Sequence, residues 1–154
     1  MSPHRPTNPT PAPRHGRLVI LGVAASDAHA VANQLIAMRL RHDGFLVINL
    51  GVCTPLKEFA DALDAHPGAE AVVIGSLNGH AYEDLCDLPA LRAAGRMGVP
   101  VVLGGNLSAG SGRPALAGLG IDHLVDDADG LTPLLDSLPR SQPSAPAVVG
   151  PAHA

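Results

Sequence analysis

Apolar residues come in short aliphatic runs separated by segments whose apolar positions recur every three or four residues. Residues 17–24 (RLVILGVA) form a continuous apolar run ending in small residues, the pattern of a strand buried on both faces. Residues 28–43 then place Val31, Leu35 and Met38 on one stripe, with Ala32, Ile36 and Leu40 beside it. Arg39, Arg41, His42 and Asp43 crowd the far end. This predicts an amphipathic helix with Gly44 as its stop. A second strand is predicted over 45–50. Thr54 then reads as a helix cap with Pro55 in the first turn, and Leu56, Phe59, Ala60 and Leu63 as the inner stripe of a second helix.

The alternation continues to the end of the patterned region. Strands are predicted over 69–75 (AEAVVIG), 99–103 (VPVVL) and 121–125. Helices are predicted over 88–97, 114–119 and 130–138, with a polar loop over 76–87 and a glycine-rich loop over 104–112. Five aliphatic strands separated by helices require crossover connections, hence a parallel sheet covered on both faces. Five strands suit a single flavodoxin-like (Rossmann-like) α/β domain of strand order 2-1-3-4-5 better than a six-stranded sheet.

Composition sharpens the domain limits. Of 15 prolines among 154 residues, five lie in residues 1–15 and four in 139–154, and neither segment has any periodicity. Both read as disordered Pro-rich tails around a folded domain over residues 16–138. The folded part holds all 14 acidic residues and seven of the ten basic ones, and aromatics make up 2% of the chain. An acidic, ring-poor surface argues against nucleic acid. No apolar run approaches the roughly 18–20 residues of a membrane span. The start of the chain is polar, without the apolar segment of an export signal, and Cys53 and Cys86 have no metal or redox spacing. A cytoplasmic, reduced protein is expected.

Ligands of such sheets bind outside the carboxyl ends of the strands, near the switch between the first and third. Three unusual loops converge there: Ser26-Asp27-Ala28-His29, Gly75-Ser76-Leu77-Asn78, and Gly104-Gly105-Asn106-Leu107-Ser108-Ala109-Gly110. Asp27 taken alone reads first as an ordinary helix cap, and second as a carboxylate fixing the tautomer of His29. The glycine loop reads as a turn or as room for a bulky ligand. No glycine cluster opens the first helix, so dinucleotide and P-loop readings fall. One His with one Asp is too small a set for a bare ion, even allowing for His80 and His123. It suffices for a metal that brings its own equatorial ligands. Haem favours aromatic surroundings; a corrin with a nucleotide tail suits a slot lined by small residues.

The residues SDAHAVANQ, GSLNGH and GGNLSAG together resemble the cobalamin-binding family, with its Asp-x-His-x-x-Gly, Ser-x-Leu and Gly-Gly pattern, and within it the small (sigma) subunits of glutamate mutases. The spacings fit as well: 42 residues separate Ala32 from Gly75, and 26 separate Leu77 from Gly104. The resemblance implies that His29 is the lower axial ligand of cobalt and that Asp27 holds His29. It implies a cofactor site made of Ser26, Asp27, Ala28, His29, Ala30, Gly75, Ser76, Leu77 and residues 104–110. The cofactor would be adenosylcobalamin and the partner a large barrel-type mutase subunit that carries the radical rearrangement of glutamate to 3-methylaspartate. No catalytic acid or base is then expected here. Two positions depart from the pattern. Ala32 stands where the motif has glycine, and Gly75 stands where relatives place a serine hydroxyl on the benzimidazole. Two other readings remain at this point: a corrinoid carrier or sensor without mutase activity, and a flavodoxin-like module that has lost its ligand. A carrier's helical bundle or a sensor's DNA-binding module would not fit within residues 1–15.

Overall fold

The computed structural model describes residues 16–105 and 112–139. Its elements are β1 (Leu18–Val23), α1 (Ala30–His42), β2 (Leu46–Asn49), α2 (Leu56–Ala65), β3 (Ala69–Ser76), α3 (Ala81–Asp84), α4 (Leu88–Ala93), β4 (Val101–Gly105), α5 (Gly112–Gly118), β5 (His123–Val125) and α6 (Leu131–Ser137), with a 3-10 turn at Ala128–Gly130. The five strands form one parallel sheet in the order β2-β1-β3-β4-β5, as expected. Register pairs Leu18 with Leu46, Val23 with Gly75, and Ser76 with Gly105, so the carboxyl ends lie along one edge. Among the described residues no helix is long and apolar enough to cross a membrane.

Side chains alternate between the two faces of the strands, and each face carries a core. Ile20, Val72, Ile74, Val101 and Leu103 pack against Phe59, Ala60 and Leu63 of α2 and Leu88 of α4. Val19, Leu21, Ala71, Val73 and Val102 pack against Ala37 and Leu40 of α1, Phe45, and Leu131 and Leu135 of α6. The inner stripe predicted for α2 is buried at all four positions. Gly22 is required by this packing: a Cβ there would lie 2.6 Å from the Phe59 ring.

Three local expectations are corrected. Val31, Leu35 and Met38 are the exposed side of α1, at 75%, 59% and 63% exposure, and Asn33, Ala37 and Leu40 face the sheet. The helix carries apolar residues all round, so periodicity alone does not select the buried face; close approach to the strands favours the small Ala37. Thr54 does not cap α2: Pro55 holds that position, while the Thr54 hydroxyl donates to the carbonyl of Gly51 at 3.1 Å and the Thr54 backbone bridges to Ala24. The loop predicted over 76–87 contains the short helix α3, whose start is fixed by the Asn78 carboxamide oxygen accepting from His80 N–H at 3.1 Å.

The amino end of the sheet has its own anchor. The Arg17 guanidinium donates to Glu70 at 2.8 Å, to Asp136 at 2.9 Å and to the Leu135 carbonyl at 2.9 Å, and lies 5.1 Å over the Phe45 ring. One side chain thereby ties together β1, β3 and α6.

Candidate functional site

Asp27 is the hub of the carboxyl edge. It follows β1, and its side chain is fully buried although it carries a charge. One carboxylate oxygen accepts from the His29 backbone N–H at 2.9 Å and from His29 Nδ1; the other accepts from the backbone N–H groups of Leu77 and Asn78. Burial by itself would raise the Asp27 pKa, but the Leu77 N–H and the two groups of His29 hold it below the ordinary aspartate value. Asp27 is therefore not the cap of α1. It is a bridge between the loops after β1 and β3, whose residues are 50 positions apart.

That bridge settles the chemistry available at His29. An ionised carboxylate only accepts, so Nδ1 carries the hydrogen in this pair and Nε2 is the ring nitrogen left outside the bond to Asp27. The His29 side chain is 56% exposed, at the mouth of the sheet edge. A ring fixed through Nδ1 can offer one donor atom, Nε2, to a metal that has its other ligands already. Among the described residues no cluster of three or more His, Cys, Asp or Glu side chains is placed to hold a bare ion. His80 and His123 add nothing to such a set.

Beside His29 a slot of about 580 Å³ opens along the sheet face covered by α1 and α6. That volume is within the roughly 300–1,000 Å³ of small-molecule sites. Leu21, Val73 and Val102 line its floor, Ile36 and Leu131 its sides, and Gly75, Leu77, Gly104 and Gly105 its upper edge. Gly75 presents no side chain to the slot, and a Cβ there would have nothing closer than 3.9 Å. Gly105 has φ +123°, and a Cβ at this position would collide with the Ser76 carbonyl. Only glycine permits β3 and β4 to meet so closely at the rim.

The expected site residues divide. His29, Gly75, Leu77, Gly104 and Gly105 line the slot. Asp27 supports it from behind. Ala28 and Ala30 are exposed on either side of His29. Ser26 faces away; its hydroxyl donates to Asp84 at 2.6 Å and its carbonyl accepts from Asn78 Nδ2 at 3.0 Å, which fastens the loop to α3. Ser76 is also outside the slot. It alternates with Gly75 along β3 and is buried with no partner for its hydroxyl, so it does not replace a hydroxyl at position 75. Asn106, Leu107, Ser108, Ala109 and Gly110 lie outside the described residues.

A family model for the B12 binding domain matches residues 17–130. The glutamate mutase sigma subunit of Halobacterium salinarum is 37% identical over 125 residues, covering 78% of this chain and 83% of the relative. Sigma subunit 1 of Haloarcula marismortui is 39% identical, covering 71% and 76%. The chain belongs to the B12-binding, glutamate mutase sigma-subunit family. The sigma subunit of Treponema denticola, 32% identical over 69% of this chain and 80% of its own, is a more distant relative in the same family. Among solved structures the same fold occurs in a cobalamin-binding protein from Desulfitobacterium hafniense (TM-score 0.65, 21% identity, 77% of this chain and 57% of that one). It occurs also in the methanol:cobalamin methyltransferase complex of Methanosarcina barkeri (TM-score 0.64, 18% identity, 86% and 50%). This sigma-family chain thus spans about half of either solved chain.

Several slot residues were missed in the sequence. Asn33 of α1 lines it, as do Arg113 and the stretch Asp126-Asp127-Ala128 after β5; Ala32, already singled out as the motif position without its glycine, lines it too. Asn33 shares a helix face with Ala37 and Leu40, four and seven positions on, and that spacing was the available signal. The Asp126–Ala128 stretch was findable from topology alone, because β5 also ends on the ligand-binding edge. Arg113 gave none, since its place depends on a fold-dependent ion pair with Asp126.

Proposed function

We propose that this chain is the cobalamin-binding small subunit of a glutamate mutase, with adenosylcobalamin as its cofactor and a barrel-type large subunit as its partner in the cytoplasm. The observation that carries the reading is His29 held through Nδ1 by buried Asp27, at the mouth of a deep, mostly apolar slot. Donor set and cavity both fit the group: one imidazole suffices for a metal already held equatorially by a macrocycle, and the slot has room for its nucleotide tail. His29 Nε2 would hold the cobalt, Asp27 would fix the orientation of the ring through Nδ1, and the glycine rim would admit the tail. When bound, adenosylcobalamin supplies the radical chemistry that a carbon-skeleton rearrangement needs. This chain's residues bind and orient the cofactor. Two free exposed cysteines, Cys53 and Cys86, suit a reducing compartment.

The test is a dark titration of the purified chain with adenosylcobalamin. The visible spectrum is expected to change to that of an imidazole-ligated, base-off form. His29→Ala is expected to lose that change and to weaken binding at least tenfold. Absence of binding by a folded wild-type chain at high micromolar cofactor would exclude the reading. Glutamate turnover on adding a barrel-type mutase subunit then tests the activity.

A further inference from the structure

Three buried side-chain atoms among the described residues have no hydrogen-bond partner: Asn33 Nδ2, Ser76 Oγ and Arg92 Nε. Of the three residues only Asn33 lines the slot. Its side chain is not free to turn. Gly51 N–H donates to Asn49 Oδ1 at 3.0 Å, and a backbone N–H has no other role than donor. Asn49 must therefore direct Nδ2 toward Asn33, which accepts through Oδ1 at 2.8 Å. The chain of bonds ends with the Asn33 amide nitrogen. A two-hydrogen donor is thus left unmet beside a slot whose floor is Leu21, Val73 and Val102. An unmet buried donor is costly, and native structures rarely keep one without a reason.

An acceptor to match it follows from coordination chemistry. If His29 occupies the lower face of cobalt, the ring nitrogen of the nucleotide base that would otherwise coordinate there is set free. In an apolar slot that lone pair needs a donor. Gly75 offers no side chain and the Ser76 hydroxyl lies outside the slot. We propose that Asn33 is a lower-base recognition residue, with Nδ2 donating to the ring nitrogen of a nitrogenous base in the slot. The assignment rests on the slot being a corrinoid tail site, and it adds a selectivity: cobamides with a ring-nitrogen base bind better than those with a phenolic base.

The full chain is titrated with three probes in the dark: adenosylcobalamin, adenosylcobinamide, which lacks the nucleotide, and the adenosylcobamide whose base is p-cresol. Wild type is compared with Asn33→Asp, which keeps an oxygen for Asn49, and with Asn33→Ala. Both variants are expected to bind adenosylcobalamin about tenfold more weakly, or ~1.4 kcal/mol, with unchanged affinity for the other two probes. Unchanged cobinamide binding also reports an intact fold and His29. Equal losses on all three probes, no loss on adenosylcobalamin, or an equal loss on the p-cresol cobamide would each overturn the assignment. Failure of wild type to bind either adenosylcobalamin or adenosylcobinamide would instead remove the corrinoid reading beneath it.

Discussion

Asp27 concentrates more of the site than any other residue. Its four accepted hydrogen bonds hold a histidine ring, the first turn of α1 and the loop after β3. Asn at this position has one acceptor oxygen where the carboxylate has two, so Asp27→Asn strands buried donors. The expected loss is about 2 kcal/mol at pH 7. Because the folded pKa is lowered, the carboxylate's contribution is complete above the ordinary aspartate value, about pH 4. It is lost as pH falls through the lowered folded value. The gap between wild type and Asp27→Asn, read by urea unfolding, is therefore expected to narrow as the pH falls below about 4. A gap that widened below about pH 4 would contradict the charged-hub description. At this scale the sequence was legible where side-chain type dictates chemistry, as for His29 with Asp27. Asn33 was not, because a polar residue in a helix gains its meaning from Asn49 and Gly51 across the fold.

Helices differ in how well they could be read. Every apolar stripe position of α2 is buried because polar residues fill its other faces. In α1, aliphatic residues on several faces left the orientation to be settled by packing, and the stripe chosen by periodicity proved to be the outer one. This yields a comparison. Val31→Lys and Met38→Lys alter exposed positions and are expected to change stability by no more than about 0.5 kcal/mol. Leu40→Ala removes a side chain that is 1% exposed and is expected to cost about 2–5 kcal/mol. Thermal unfolding of the three variants distinguishes this face from its opposite. The strands were the most legible elements. Their order was predictable from crossover rules, whereas their limits moved by one or two residues, because paired strands stop where hydrogen-bonded partners stop.

The molecule as a whole separates stability from binding along the strand axis. Arg17 fastens the amino end, and the slot occupies the carboxyl end. Arg17→Met leaves Glu70 without its ion pair and is expected to cost about 2 kcal/mol in denaturant unfolding. The dark titration of the same variant is expected to match wild type; a comparable loss of cofactor affinity would show that the two ends are coupled. The Asp27 bridge also has a consequence in time. Everything that orients His29, the Leu77 and Asn78 amides included, is present once residue 78 has been made. The slot floor and walls need Val102, Gly105 and finally Leu131. As the chain emerges from synthesis, the residues that orient His29 are complete 53 positions before Leu131, the last of the described residues that line the slot.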